Sequence, residues 1–309
     1  MCTFIYFWHM LGQVAKDAFT SPLFVIIYIL LVSLITWQYL RLGKGERSAL
    51  VSSLFSAGYG LLGGVIGSLL LMGIGIDLAL IGISYLWIAA VILMLLHPRY
   101  LCFAYAGGVV GLISLLFGYP PINIPHLMAL VAVLHLVESI LIYLNGHFNP
   151  VPLTIEKKGE KRKGFNLQKF WPLPLLALIS TGYSAYPLNW HFPDWWPLLG
   201  PGQDALYRKY QIVPVLVVLG YGEITYQKDP REKARFSSRY LLLFSLFLLF
   251  LSWLASRWEI FIPLAVLASP LGHEIVIWLG MRREGEKIFN YRECSLFIYL
   301  MNRLRAKKS

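Results

Sequence analysis

Two pairs of ionisable residues and one single acid lie inside or at the end of apolar runs of this chain. His135 and Glu138 are three residues apart, so they share one face if their run is helical. His273 and Glu274 are adjacent in another run, and Glu223 ends a third. A charged side chain at the centre of a bilayer costs roughly 2.5–3.5 kcal/mol on insertion scales. These five residues are therefore candidates for a proton or ion path, for a metal site, or for interhelical hydrogen bonds.

Neither pair completes a catalytic constellation. An intramembrane zinc protease carries His-Glu-x-x-His on one helix, with two histidine ligands and a general base. Ile277 stands where the second histidine after His273-Glu274 would be, and His135 with Glu138 forms only half of a site. The sequence also holds no Gly-x-x-x-x-Gly-Lys-Ser/Thr phosphate loop and no Gly-x-Ser-x-Gly elbow. We therefore predict no enzyme, no catalytic residue, no metal and no cofactor.

The three cysteines, Cys2, Cys102 and Cys294, are scattered along the chain. No two of them have the spacing of metal ligands, and an odd number makes a disulfide framework improbable. Cys102 falls in an apolar run, and we interpret it as a small buried apolar residue.

Composition indicates an integral membrane protein. The 309 residues are 57% hydrophobic and 14% charged, with a mean hydropathy of +0.62. A soluble domain carries about 25% charged residues. The net charge of +11 comes from short Lys and Arg clusters between apolar runs, which is typical of cytoplasmic loops. We therefore predict a multi-pass protein of the cell membrane, with the lipid bilayer as its first partner and no nucleic acid.

The apolar runs predict an all-α transmembrane helix bundle of about nine spans, since a span needs roughly 20 apolar residues. The predicted spans are 21–40, 48–76, 78–96, 100–117, 126–144, 170–186, 210–227, 240–256 and 258–280. The seventh is the weakest, because only 13 residues precede Glu223, and a re-entrant segment is the alternative.

This pattern predicts five regions with alternating orientation. They are an N-terminal interfacial segment (1–20), a five-helix membrane region (21–144), a basic cytoplasmic loop (145–169), a four-helix membrane region (170–280) with an external aromatic loop at 187–209, and a basic cytoplasmic tail (281–309). With the N-terminus outside, just four of the 27 Lys and Arg fall on the external side: Lys16, Arg208, Lys209 and Arg257. Such an imbalance is what the positive-inside rule expects.

Glycines recur at four-residue spacing in two of the predicted spans. The second span contains Gly60, Gly63, Gly64 and Gly67, and the fourth contains Gly107 and Gly111. Such spacing lets helix backbones approach closely in lipid. We predict that these residues pack helices within the chain, with a dimer face as the alternative.

Several short strings, in the same order, are similar to one family. They are residues 37–41 (Trp-Gln-Tyr-Leu-Arg), 61–64 (Leu-Leu-Gly-Gly), 97–100 (His-Pro-Arg-Tyr), 105–108 (Tyr-Ala-Gly-Gly), 135–139 (His-Leu-Val-Glu-Ser), 167–174 (Leu-Gln-Lys-Phe-Trp-Pro-Leu-Pro) and 270–274 (Pro-Leu-Gly-His-Glu). Over about residues 20 to 285 the chain resembles the membrane portion of the PDZ-domain-containing membrane proteins of Gram-positive bacteria, the MinJ-like cell-division topological determinants.

That resemblance implies a scaffold whose helices anchor a cytoplasmic PDZ domain and connect a cell-pole protein to the division inhibitor system. Only 29 residues follow Gly280, which is at most the truncated start of a PDZ domain, so peptide recognition is not carried over. We expect a non-catalytic scaffold or anchor that contacts division or polarity proteins through its cytoplasmic loops, of unknown oligomeric state. A secondary transporter or channel is the alternative. An intramembrane enzyme would need histidines and acids of the fifth and ninth spans to converge.

Overall fold

The computed structural model describes residues 2–157, 160–181, 196–200, 209–226 and 228–283. The helices are α1 (Cys2–Thr20), α2 (Pro22–Arg41), α3 (Glu46–Ile74), α4 (Ile83–Leu96), α5 (Phe103–Phe117), α6 (Ile124–Asn145), α7 (Pro230–Ala255) and α8 (Ile262–Arg283). The strands are β1 (Val151–Lys157), β2 (Glu160–Asn166), β3 (Lys169–Thr181), β4 (Lys209–Tyr221) and β5 (Ile224–Thr225). The chain is mostly helical, as predicted, but the all-α prediction is wrong because the strands form two sheets.

Among the described residues five helices, rather than the nine predicted, are long and apolar enough to cross a membrane: α2, α3, α6, α7, and α8 with the turn before it. One face of α2 points away from the rest of the protein, and Leu23, Ile26 and Ile29 on it are 68%, 60% and 59% exposed. A continuous apolar surface of this kind marks contact with a partner or with lipid. The five helices therefore indicate a membrane protein.

The bundle has two ends, which we name after a residue at each. At the Lys44 end, α3 begins where α6 finishes, and the amide of Asn149 donates to the hydroxyl of Ser48. Lys44 lies between α2 and α3 and donates to the backbone carbonyl of Asn149 over 2.8 Å. At the Asp77 end, the backbone N–H of Asp77 donates to Nδ1 of His126 near the start of α6.

Helices α4 and α5 correct the predicted third and fourth spans. They have 14 and 15 residues, or about 21–23 Å at 1.5 Å per residue, which is less than the roughly 30 Å of a bilayer core. The pair enters from the Asp77 end, where Asn123 donates to the carbonyl of Leu80. It turns back at residues 97–102, at the level of the middle of α6. The pair is therefore a helical hairpin that reaches only part of the way along the bundle.

The predicted sixth and seventh spans are strands instead of helices. β3 and β4 pair antiparallel over 13 residues, from Lys169 with Tyr221 at the Lys44 end to Thr181 with Lys209 near the Asp77 end. Pro172 and Pro174 disfavour a helix in β3, because proline lacks an N–H and clashes with the preceding turn. The hairpin formed by β3 and β4 lies along α3.

The free edge of β3 faces α3, and its backbone donors are accounted for there. The N–H of Leu176 donates to the hydroxyl of Ser68 over 2.7 Å. Pro172 and Pro174 share this edge, since N–H groups two residues apart point the same way, and neither has a hydrogen to donate. Backbone groups in a lipid environment must be satisfied internally, and proline is tolerated at sheet edges. The prolines therefore let an extended segment pack beside a helix.

The predicted basic loop at 145–169 is largely a β-hairpin. β1 and β2 pair from Val151 with Asn166 to Lys157 with Glu160, and β5 adds to the other side of β2 through Ile224. The resulting three-stranded sheet, in the order β1–β2–β5, lies at the Lys44 end.

Two predicted regions fall mainly outside the described residues. Of the aromatic loop at 187–209, the structure describes 196–200 and the first residue of β4. The indole N–H of Trp196 donates to the carbonyl of Met72 over 3.0 Å, which places this tryptophan at the Asp77 end. The basic tail is described only as far as Arg283, and the possible start of a PDZ domain lies beyond that point.

Candidate functional site

The tip of the α4–α5 hairpin meets the middle of α6 and of α8. Glycines on α5 permit this close approach. A Cβ on Gly108 would lie 2.7 Å from the ring of Pro270 on α8, and one on Gly107 would lie 2.9 Å from Val131 on α6. Cys102 caps the start of α5, so its thiol projects from the hairpin tip into this junction.

Three metal-ligating side chains converge there: Cys102, His135 and His273. The thiol sulfur of Cys102 lies 3.2 Å from Nε2 of His135 and 3.6 Å from Nε2 of His273. The two imidazole rings are 5.3 Å apart between centroids. All three ligand atoms lie within 4.8 Å of one another. His135 and His273 are 33 and 171 positions away from Cys102 in the sequence. We call the three residues together the Cys-His-His cluster.

Hydrogen bonding orients one of the imidazoles. Nδ1 of His135 is 2.7 Å from the carbonyl oxygen of Val131 and must carry the hydrogen in that contact. The Nε2 lone pair of the neutral ring therefore points at Cys102. Nδ1 of His273 is buried and has no hydrogen-bond partner among the described residues.

An ion pair closes the other side of the hairpin tip. The Arg99 guanidinium donates to one carboxylate oxygen of Glu274, and the phenol of Tyr105 donates to the other over 2.6 Å. Glu274 follows His273 directly in α8, so it turns toward Arg99 and away from the cysteine. The two members of the predicted His273-Glu274 pair therefore contact different partners.

Glu138 and Glu223 occupy two further polar positions toward the Lys44 end. Glu138 interacts electrostatically with Cys102 and with Tyr221. The phenol of Tyr221 donates to Glu223 over 2.9 Å, and the hydroxyl of Ser237 donates to the same oxygen over 2.5 Å. The prediction that Glu223 closes a helical span is wrong, because it follows β4 and connects that strand to α7.

The glycines predicted to pack helices have mixed contacts. Gly60 and Gly64 face the backbone of β3, and Gly67 faces Leu175 of the same strand. Gly63 faces Leu141 of α6, Gly107 faces α6, and Gly111 faces Val266 of α8. All six are sites of close packing within the chain, but three of them receive a strand rather than a helix.

The site thus combines predicted and unpredicted residues. His135 and His273 come together, as the interpretation of an intramembrane site requires. Glu274 pairs with Arg99 on the other side of the hairpin tip, and Glu223 lies toward the Lys44 end. Cys102, first interpreted as an apolar residue, and Arg99 complete the arrangement. The sequence contains one signal for the position of Cys102 and Arg99. Pro98 disfavours helix in the residue before it, which marks residues 97–102 as a turn between two apolar runs.

Chemically, a thiol and two imidazoles form a ligand set suited to zinc and other borderline-soft ions. The described residues around it do not add a nucleophile, general base and oxyanion site in one arrangement. The fold defines a mostly helical protein, in which five of the described helices are long and apolar enough to cross a membrane. No protein-family model, curated protein or solved structure matches the chain.

Proposed function

We propose that this protein is a non-catalytic integral scaffold or anchor of the cell membrane, with its Lys44 end in the cytoplasm. The distribution of charge carries this proposal. Basic side chains gather at the Lys44 end: Arg41, Lys44, Arg47, Lys163, Lys228, Arg231, Lys233, Arg235, Arg282 and Arg283. Lys16 of α1, Lys209 at the start of β4 and Arg257 belong to the Asp77 end. The positive-inside rule relates such an imbalance to a cytoplasmic basic face.

The three-stranded sheet offers the surface through which a scaffold would contact partners. A groove of about 450 Å³ on this sheet is lined by Lys163 and Lys228 together with the apolar Leu153 and Phe165. The sheet is fixed to the bundle through Glu223, which accepts the N–H of Leu167 at its carbonyl over 2.8 Å and the hydroxyl of Ser237 on α7 at its carboxylate. A groove with two ammonium groups beside an aromatic ring suits an acidic segment that carries an apolar side chain.

The partners that we propose are division or polarity proteins. Support comes from the ordered strings that resemble the membrane portion of Gram-positive PDZ-domain-containing proteins. This chain would contact them through the sheet and the neighbouring basic ends of α7 and α8.

A secondary transporter or channel is the second candidate function. The position of Glu138 favours it, because this acid interacts electrostatically with Cys102 on one side and with Tyr221 on the other. Polar groups therefore extend from Glu223 toward the Cys-His-His cluster. Conduction would also need a continuous aqueous path to the middle of the bundle, whereas Pro270 and Val131 fill the space beside Gly107 and Gly108.

Cross-linking in intact cells tests the scaffold proposal. A Lys163→Glu/Lys228→Glu variant should lose its cross-linked partners and its localised distribution in the membrane. A Lys16→Glu/Arg257→Glu variant, with the same charge change at the Asp77 end, should keep both. A uniform membrane distribution of the unaltered protein, with no division or polarity protein among its partners, would refute the proposal.

Reconstitution separates the two candidates. Liposomes that contain the purified protein should show no ion or proton flux above that of empty liposomes. A flux abolished by Glu138→Gln, but not by Glu232→Gln on the exposed start of α7, would favour the transporter.

A further inference from the structure

We propose that Cys102, His135 and His273 bind one zinc ion in the middle of the bundle. This site is independent of the scaffold function, because it lies away from the basic sheet and involves different elements. It joins the tip of the α4–α5 hairpin to α6 and α8. Zinc would thus hold in place a hairpin that is too short to span the bilayer by itself.

The distances from sulfur to nitrogen in the cluster match those around a tetrahedral ion. Zn–S bonds of about 2.3 Å and Zn–N bonds of about 2.0–2.1 Å place sulfur and nitrogen ligands about 3.6 Å apart. The sulfur of Cys102 lies 3.2 Å and 3.6 Å from the two Nε2 atoms. The two Nε2 atoms lie within 4.8 Å of each other, against about 3.3 Å around a tetrahedral zinc ion, so one imidazole would move by up to about 1.5 Å to complete the coordination.

Hydrogen bonding within the cluster leaves the correct atoms free to coordinate. The bond from Nδ1–H of His135 to the carbonyl of Val131 is the outer contact that metal-bound histidines make, and it presents the Nε2 lone pair to the ion. Cys102 sits at the N-terminus of α5, where its sulfur accepts the backbone N–H of Ala104 at 3.4 Å. Zinc binding would release the thiol proton, because the thiolate is the form that binds metal.

The metal-free cluster is held by hydrogen bonds. The thiol of Cys102 can donate its one hydrogen to Nε2 of His135 and accept the Nε2–H of His273. Zinc would replace both hydrogen bonds with bonds to the ion, and His273 would then carry its hydrogen on Nδ1. An ion bound to all three ligand atoms uses both Nε2 lone pairs at once. Three protein ligands then leave a fourth position for a small exogenous ligand such as water.

Metal analysis of the purified protein tests the proposal. A Cys2→Ser/Cys294→Ser background, in which Cys102 is the remaining cysteine, should contain about one zinc per chain after purification in detergent. Replacement of the zinc by cobalt(II) should produce a thiolate-to-cobalt charge-transfer band. That band reports sulfur ligation directly, and it would be absent if the ion were held elsewhere on the protein.

Ligand variants in the same background locate the ion. Cys102→Ser, His135→Asn and His273→Asn should each weaken zinc binding by more than about 100-fold, since loss of an outer-contact residue alone costs 10–100-fold. His147→Asn, which alters a histidine outside the cluster, should bind zinc as tightly as the background. Gel filtration in detergent identifies variants that fail to fold. Less than 0.1 zinc per chain in folded background protein after incubation with excess zinc, or no cobalt–thiolate band, would overturn the proposal.

Discussion

The backbone carbonyl of Pro172 lies against Gly60, so that position 60 of α3 has no room for a side chain. One turn further along, the carbonyl of Pro174 lies against Gly64 in the same way. The strand can therefore run in contact with the helix backbone, at a distance where Cα–H groups act as weak donors to carbonyl oxygens. The Gly60–Gly64 spacing, which predicts helix packing in lipid, serves here to receive a strand.

This contact predicts opposite effects for two glycines of the same helix. Gly60→Ala should lower the free energy of unfolding by about 1–3 kcal/mol or more, because its Cβ would overlap a backbone oxygen that cannot rotate away. Gly58→Ala should raise it by about 0.4–1 kcal/mol, since nothing lies within 4 Å of its Cβ and alanine restricts the unfolded chain. Denaturation in detergent micelles measures both. Equal effects would mean that β3 does not lie against α3.

The hydrogen bond from Leu176 to Ser68 yields a second prediction. Ser68→Ala leaves the N–H of Leu176 without its acceptor in an apolar setting, which should cost about 1–3 kcal/mol. Ser33→Ala is the control, because the Ser33 hydroxyl is exposed and bonds only to its own helix, at the carbonyl of Ile29. Its effect on stability should stay within about 0.5 kcal/mol. If Ser68→Ala lowers the free energy of unfolding no more than Ser33→Ala does, the hydroxyl of Ser68 does not stabilise the free edge of β3.

Hydropathy predicted the long helices well and failed where length or proline mattered. α2, α3 and α6 lie close to their predicted ranges, because an isolated apolar run of sufficient length has few other stable arrangements in lipid. The run at 170–186 is equally apolar, but Pro172 and Pro174 remove its helical hydrogen bonds. Its use as a strand depends on glycines more than 100 residues away, and local periodicity carries no such information.

The candidate site was predictable in part for a similar reason. An ionisable residue in an apolar run is costly, and this singled out His135 and His273 from the sequence. Their convergence with Cys102 depends on how far the α4–α5 hairpin enters the bundle. That depth is set by contacts of Gly107 and Gly108 with two other helices, so spacing within one run could not reveal the third ligand.

The ion pair between Arg99 and Glu274 should couple α8 to the hairpin tip. Glu274→Gln removes the negative charge opposite the Arg99 guanidinium. Because the two side chains are 17% and 45% exposed, the cost should fall between the about 0–1 kcal/mol of a surface pair and the about 3–5 kcal/mol of a buried pair. The double variant Arg99→Gln/Glu274→Gln should be at least about 1 kcal/mol more stable than additivity of the single variants predicts.

A second ion pair provides the control for this double-mutant cycle. Arg283 and Glu232 form a more exposed pair at the Lys44 end, and surface pairs contribute about 0–1 kcal/mol. Arg283→Gln should therefore change the unfolding free energy by less than about 1 kcal/mol. A coupling energy for Arg99 and Glu274 no larger than that of this control pair would show that the intramembrane ion pair does not stabilise the junction.

Lys44 should make stability depend on pH. Its ammonium donates to the hydroxyl of Ser52 and to the carbonyl of Asn149, both over 2.8 Å, and it lies 4.5 Å from the ring centre of Tyr39. No carboxylate pairs with it among the described residues. Burial lowers the pKa of Lys44 from 10.5 to about 8, because desolvation disfavours the charged form.

The sign of the dependence follows from proton binding. Between about pH 8 and 10.5 the unfolded chain binds more protons at this amine than the folded protein does, so the free energy of unfolding should rise with pH in that window. One group contributes at most about 1.4 kcal/mol per pH unit, and water that screens the amine reduces this. Denaturation in detergent at several pH values should show the slope in the unaltered protein and a weaker slope in Lys44→Met. Lys16→Met, which removes an exposed amine of α1, should keep the slope of the unaltered protein. An equal loss of slope in both variants would show that net charge, and not the burial of Lys44, causes the pH dependence.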